Sequence, residues 1–164
     1  MENTKINLTP QLGLSEAAMK NGAALLEKLL ADEFVLRTKL QKAHWNVTGM
    51  AFGPLHALFE EQYDQLGGFV DDIAERVRQY GEFPIGTLSE FLKVTRLHEE
   101  PGVNGDATQI LHSLLSDHEA IIRFLRADIG AIQEEVGDIG LEDFYTGLLQ
   151  DHQKMAWFLR SHLG

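Results

Sequence analysis

Four segments of this chain repeat apolar residues with the spacing of an α-helix, and the chain's prolines lie outside those segments. The four prolines stand at positions 10, 54, 84 and 101. Because proline disrupts the interior of a helix, this distribution allows each segment to form one long helix. The chain is therefore restricted to an architecture of long helices packed side by side.

Each apolar stripe identifies the face of one helix that should be buried. Ser15 is the expected N-cap of the first helix, which runs to about His44, and Asp106 is the expected N-cap of the third, with Gln109 in the capping-box position. The four stripes, in chain order, are Leu25, Leu29, Leu36 and Leu40; Phe59, Leu66, Val70, Ile73 and Val77; Leu111, Leu114, Leu115, Ile121, Ile122, Leu125, Ile129 and Ile132; and Phe144, Leu148, Met155 and Leu159.

Four long helices without a strand pattern predict an all-α, four-helix bundle. The connection between the second and third helices spans about 25 residues, which suits a ferritin-like crossover. Within it, "TLSEFLKV" indicates a short helix and "HEEPGVNG" a loop, while "VGDIG" interrupts the pattern before the fourth helix. We expect residues 1–164 to form a single domain, with residues 1–14 as a short N-terminal tail.

Composition excludes several classes of site. The chain has no cysteine, which rules out disulfides, thiolate zinc sites and iron–sulfur clusters and is compatible with a reducing compartment. Its formal net charge is −11, which disfavours a general nucleic-acid surface. The N-terminus lacks the apolar core of a signal peptide, and no apolar run approaches a membrane span. We therefore expect a cytoplasmic protein.

The stretch "AHWNVTGMAFGPLH" places His44 and His56 on either side of a glycine-rich turn, equidistant from Met50. If the flanking helices form an antiparallel hairpin, the two imidazoles lie side by side. Glu60 follows His56 at i+4 and shares its helix face. Imidazole and carboxylate together suit iron, manganese or zinc, although a histidine at a helix end is more often a cap or a solvated side chain.

Asp71 and Glu75 form a second i, i+4 pair on the second helix. Asp71 comes 15 residues after His56, which corresponds to about 22 Å along a helix axis. Metal–ligand bonds measure only about 2 Å, so one straight helix cannot bring both groups to one metal. Two copies packed antiparallel across a twofold axis can do so. The alternative is a solvated face on which Glu75 pairs with Arg78 or Gln79.

Residues 44–76, "HWNVTGMAFGPLHALFEEQYDQLGGFVDDIAER", closely resemble the signature of the Dps family, the mini-ferritins of the ferritin-like superfamily. The resemblance extends over nearly the whole chain, including the ending "KMAWFLRSHL". It implies a hollow shell of twelve subunits with di-iron ferroxidase centres at twofold dimer interfaces.

The resemblance also assigns roles by position. His44 and His56 match the two histidine ligands, and Asp71 and Glu75 match the carboxylates of the partner chain, with Glu75 as the expected bridge between two irons. Glu60 stands where the family often has aspartate. Trp45 matches a tryptophan beside the centre, where it would either intercept oxidising equivalents or serve as a packing anchor.

The function implied is oxidation of Fe²⁺ by hydrogen peroxide or oxygen, with Fe³⁺ mineralised in the cavity and protection against oxidative damage. The alternative is a DNA-compacting nucleoid protein with incidental metal binding, and a third possibility is a bundle that uses no metal. DNA-binding relatives often carry a lysine-rich tail, but residues 1–14 contain one lysine and one glutamate. We therefore expect weak or absent DNA binding.

Two further sets of residues are candidates. The acidic stretch 134–143 is either a solvated loop next to a helix N-terminus or, by the resemblance, the lining of an iron-entry pore formed by Asp138 and Asp143 with Glu142 nearby. His118 and His152 fall near the apolar stripes of the third and fourth helices. They are expected to be hydrogen-bonded core or interface histidines, with a second metal site inside the bundle as the alternative.

Overall fold

The computed structural model describes residues 9–102 and 105–164, and within them all regular secondary structure is helical. Its elements in chain order are α1 (Glu16–Asn46), α2 (Phe52–Gln79), α3 (Leu88–Val94), α4 (Ala107–Ala131), a π-helical turn (Ile132–Val136) and α5 (Ile139–Ser161). Four long helices and a short one in the crossover confirm the predicted all-α, four-helix bundle. Residues 1–8 of the expected tail, and Val103 and Asn104 of the expected loop, lie outside the described residues.

α1 and α2 form the antiparallel hairpin that the histidine spacing required. Ser15 caps α1 by accepting a hydrogen bond from the backbone N–H of Ala18 at 3.1 Å. The turn between the helices contains Gly49, whose φ of 103° is a backbone conformation that side chains with a Cβ rarely adopt. Pro54 lies in the first turn of α2, where a proline is tolerated because no intrahelical N–H bond is lost.

The crossover is fixed to the bundle by a buried ion-pair network. Thr87 and Glu90 form a capping box at the start of α3. Beyond that helix, the Arg96 guanidinium bonds Asp32 of α1 at 2.8 Å and Asp128 of α4 at 3.0 Å. Because both carboxylates are buried, a single arginine holds the long connection against two helices of the core.

α4 begins at the predicted cap, where the Asp106 side chain accepts from the Gln109 N–H at 2.8 Å. It ends in the π-turn and in Gly137, which has a left-handed conformation with φ 69°. α5 starts at Ile139, five residues before Phe144, the first residue of the predicted stripe. Of the two alternatives for residues 134–143, the solvated loop is wrong in form, because residues 134–136 belong to the π-turn and residues 139–143 to α5.

The core lies between the four long helices and contains most of the predicted stripe residues. Leu29, Leu36 and Leu40 of α1 pack with residues of α2, α4 and α5 that are also fully buried, including Phe59, Leu66, Ile73, Ile121 and Leu159. Other stripe members, such as Leu25, Val70 and Phe144, are half-buried at the edge of this core. No helix of the described residues is long and apolar enough to cross a membrane.

Candidate metal centre

His44 and His56 meet where the α1–α2 hairpin closes. Their rings stack with centroids 3.6 Å apart and an angle of 20° between their planes. His44 is buried, and His56 is half-buried on the first turns of α2. The hairpin therefore brings together two imidazoles that are 12 positions apart in the chain.

Each of these imidazoles is hydrogen-bonded to the backbone carbonyl of the other residue. His44 Nδ1 lies 2.8 Å from the His56 oxygen, and His56 Nδ1 lies 2.8 Å from the His44 oxygen. A carbonyl oxygen only accepts, so each Nδ1 must carry the proton. In the neutral rings the Nε2 lone pairs are then left for a metal, an arrangement common among metal-binding histidines.

The local fold explains why these carbonyls are suitable partners. His44 lies in the last turn of α1, where carbonyls lack the amide four residues ahead. The Thr48 N–H that would complete the ladder instead donates to the Gly105 carbonyl at 3.0 Å. His56 Nδ1 satisfies the carbonyl of His44, so the hydrogen bond that orients the ring also caps the end of the helix.

The carboxylates predicted as ligands all lie on α2 and are all exposed. Glu60 follows His56 by one turn, and its Oε1 lies 3.5 Å from the Tyr63 hydroxyl. Asp71 and Glu75 follow farther along the same unbroken helix. The separation of about 22 Å between His56 and Asp71 therefore holds. Within residues 9–102 and 105–164, no group of three or more His, Asp or Glu side chains forms a complete metal site in one chain alone.

Two aromatic residues next to the histidines differ in how they are placed. Trp45 is 68% exposed although it follows His44 directly. Tyr63 packs its ring against His44, with centroids 5.4 Å apart and planes at 82°. Tyr63 was not predicted as part of the site; its only signal in the sequence is its position seven residues after His56, on the same face of α2.

Arg78, which the solvated-face alternative offered as a partner for Glu75, has other contacts. Its Nη1 donates to the Glu82 carbonyl at 2.7 Å, and its guanidinium lies 3.9 Å from the centre of the Phe83 ring. Glu75 itself is exposed. The surface formed by Asp71 and Glu75 is thus open to a second molecule.

The predicted pore residues surround the N-terminus of α5. Asp138 caps the helix by accepting from the Gly140 N–H at 2.8 Å, and it also accepts a hydrogen bond from the Tyr80 hydroxyl. Partial burial favours a raised pKa for Asp138, but the bonds from Tyr80 and the backbone outweigh it and lower the pKa below its ordinary value. Glu142 accepts from Gln133 at 2.7 Å, and Asp143 is exposed.

A second polar cluster lies inside the bundle and joins three helices. His152 of α5 places Nε2 at 2.8 Å from Glu33 Oε1 of α1 and Nδ1 at 2.9 Å from His118 Nδ1 of α4. All three side chains are fully buried. The two histidines are core residues with hydrogen-bond partners, as expected. Glu33, the third residue of this cluster, was not predicted. Its position within the apolar run "LLADEFVL" was a signal that it is buried.

The chain matches a family model described as "Ferritin-like domain" over residues 23–164. It is 41% identical to an uncharacterized low temperature-induced protein of Nostoc over 93% of this chain and 85% of the relative. It is 34% identical to the DNA protection during starvation protein of Helicobacter pylori, over 85% of this chain and 96% of that protein.

Among solved structures, a Dps protein from Vibrio cholerae matches with a TM-score of 0.87 and 26% identity, over 97% of this chain and 99% of that one. This chain belongs to the Dps family. The Vibrio protein is described as a member of a broad superfamily of ferritin-like diiron-carboxylate proteins. The all-helical fold of this chain thus agrees with the resemblance noted in the sequence.

The buried His118 generates a pH-dependent prediction. Burial, reinforced by the neighbouring His152, lowers the pKa of His118 well below its ordinary value of 6.5. The unfolded chain then binds more protons than the folded chain as the pH falls below about 6.5, so His118 makes the fold less stable towards acid. His118→Leu should reduce the loss of stability between pH 6.5 and 5, by at most about 1.4 kcal/mol per pH unit.

The measurement is thermal or chemical unfolding at several pH values, at equal protomer concentration. His162→Leu is the matched control, because His162 is exposed at the end of α5. It should leave the pH dependence as it is in the unmodified protein. An identical pH dependence for His118→Leu and the unmodified protein would show that His118 does not contribute to acid sensitivity.

Proposed function

We propose that this protein is a ferroxidase and an iron-storage protein, which oxidises Fe²⁺ with hydrogen peroxide or oxygen and retains the Fe³⁺ as mineral. The observation that carries the proposal is the reciprocal hydrogen bonding of His44 and His56. It presents two Nε2 atoms from stacked rings. Stacked imidazoles whose Nδ1 atoms are both protonated by the fold suit a divalent metal better than a role as helix caps alone.

The iron site is proposed to span two chains. His44, His56 and Glu60 of one chain would share Fe²⁺ with Asp71 and Glu75 of a second, and a twofold axis would create two such sites for each dimer. The geometry supports this because the two groups lie about 22 Å apart on one straight helix. The exposure of Asp71 and Glu75 also supports a site that spans two chains, because both carboxylates can reach a partner. Glu75 is the proposed bridge between two irons.

The proposed chemistry uses Fe²⁺ as the substrate. Two Fe²⁺ ions each give one electron to hydrogen peroxide, the O–O bond breaks, and two protons complete two molecules of water. Two-electron reduction avoids the hydroxyl radical that one-electron cleavage releases. The chain supplies ligands and geometry, and the redox change belongs to the metal.

Assembly into a closed shell, with twelve subunits as the family resemblance implies, is part of the proposal. Large apolar side chains remain exposed on the single chain, among them Phe83 at 79%, Leu88 at 68%, Ile139 at 82% and Trp157 at 59%. Exposed apolar surface of this kind is typical of protein–protein contacts. Trp45 would lie at such a contact, either as a packing anchor or as an interceptor of oxidising equivalents. The proposed location is the cytoplasm.

Iron entry through a pore lined by Asp138, Glu142 and Asp143 is also proposed. Asp138 already caps α5 and binds Tyr80, so its carboxylate has less freedom to follow a passing cation. Asp143 is exposed, and among the described residues the Glu142 side chain accepts a hydrogen bond from Gln133. These two side chains are therefore the better candidates for contact with the metal in transit.

The histidine pair provides the direct test of this function. His44→Ala combined with His56→Ala should lower the rate of Fe²⁺ oxidation by at least about 100-fold. Loss of a residue that only hydrogen-bonds to a metal ligand costs about 10- to 100-fold, and here the ligands themselves are removed. The shell should remain assembled, since the helices pack through their buried leucines. The rate is followed by ferric absorbance after addition of Fe²⁺ and peroxide, and assembly by size-exclusion chromatography. An assembled double variant with a normal rate would contradict the ligand assignment.

DNA compaction is the competing function, and the charge of the chain argues against it. With a net charge of −11 for each chain, an assembled shell should repel phosphate, and the electrostatic attraction that dominates DNA affinity is missing. We expect no shift of duplex DNA in a gel at low salt with up to micromolar protein. Tight binding that weakens steeply with added salt would refute this expectation and favour the DNA-compacting alternative.

A further inference from the structure

Tyr63 contacts two of the three residues in the histidine-rich half of the proposed iron site. Its ring edge faces the His44 imidazole, with centroids 5.4 Å apart and planes at 82°. Its hydroxyl lies 3.5 Å from Glu60 Oε1. No other tyrosine of the described residues touches this site, since Tyr80 binds Asp138 and Tyr145 is buried in the core.

The position of the Tyr63 ring is set by both helices of the hairpin. Tyr63 follows Glu60 at i+3 on α2, so the two side chains lie on adjacent turns of one face. From α1, the Arg37 guanidinium lies 6.0 Å from the centre of the Tyr63 ring. The ring thus has neighbours on both helices, His44 and Arg37, which limits the positions available to its hydroxyl.

In the histidine-rich half of the proposed iron site, Glu60 has the most conformational freedom. It is exposed, and its side chain has one more rotatable bond than the aspartate often found at this position in the family. Ordering that side chain on a metal costs conformational entropy unless another group already restricts it. His44 and His56, in contrast, are held by reciprocal hydrogen bonds.

We propose that Tyr63 is a positioning residue that acts through Glu60. The phenol donates to one carboxylate oxygen of Glu60, which leaves the other oxygen to bind the metal beside the two Nε2 atoms. The present separation of 3.5 Å is long for a hydrogen bond, and such contacts shorten when a site is completed. This inference rests on the proposed function, because Glu60 needs positioning only if it binds a metal.

The test measures Co²⁺ binding to the assembled protein, because the visible spectrum of Co²⁺ reports the number and geometry of its ligands. Tyr63→Phe keeps the ring against His44 and removes only the hydroxyl. It should weaken Co²⁺ binding by roughly 10-fold, the lower end of the range for lost outer-shell partners, and alter the spectrum. Tyr145→Phe is the matched control, and it should change neither the affinity nor the spectrum.

A second pair of variants separates positioning from a general structural effect. In a Glu60→Ala background, the hydroxyl has no carboxylate to hold, so Tyr63→Phe should change Co²⁺ affinity by less than about twofold. The same loss in both backgrounds, or no loss in either, would overturn the proposal for Tyr63.

The control for the proposed function itself is the variant with His44→Ala and His56→Ala. If it binds Co²⁺ as tightly as the unmodified protein, the proposed metal site fails, and the role of Tyr63 fails with it. If that variant loses Co²⁺ but Tyr63→Phe retains full affinity, only the role of Tyr63 is wrong.

Discussion

The two hydrogen bonds exchanged by His44 and His56 connect the end of α1 to the start of α2, and the proposed metal site depends on them. Each bond uses a backbone carbonyl and a ring Nδ1 at 2.8 Å. One of these carbonyls is an unpaired group at a helix terminus, which would otherwise need water or another donor. The same interaction therefore closes the hairpin, orients both rings and determines which nitrogen of each ring is available.

The second constraint on the proposed metal site is that α2 is one continuous helix. Since α2 runs without interruption from Phe52 to Gln79, the carboxylates at Asp71 and Glu75 cannot reach the histidines of their own chain. A helix that can present only half of a site at each end is suited to pairing with a second copy in the opposite direction. The proposed activity would then exist only in the assembled protein.

Much of the fold could be predicted because apolar periodicity and capping residues are local signals. Ser15 and Asp106 cap α1 and α4 as expected, and residues such as Leu36 and Ile121 are buried as their spacing required. The start of α5 was harder to place, because Gly137 precedes its first turn and Gly140 lies within it, and both weaken the helical pattern.

The contacts of the site could be predicted only in part from the sequence. The adjacency of His44 and His56 followed from a symmetric turn. The contact of Tyr63 with His44 comes instead from the packing of α2 against α1, which the spacing along α2 alone does not give. Glu33 was missed for the same kind of reason, since its partner His152 lies 119 residues away in the chain. The ligand roles of the two histidines and of Glu60, Asp71 and Glu75 remain predictions, and those of Asp71 and Glu75 concern a second chain.

The most direct measurement of the two-chain site is complementation between two inactive variants. One variant lacks both histidines, and the other carries Asp71→Ala and Glu75→Ala. In a mixed dimer one centre has all its ligands and the other keeps only Glu60, so random co-assembly should restore roughly a quarter of the Fe²⁺ oxidation rate of the unmodified protein. No recovery, with mixed assembly confirmed by mass spectrometry, would contradict a site shared between chains.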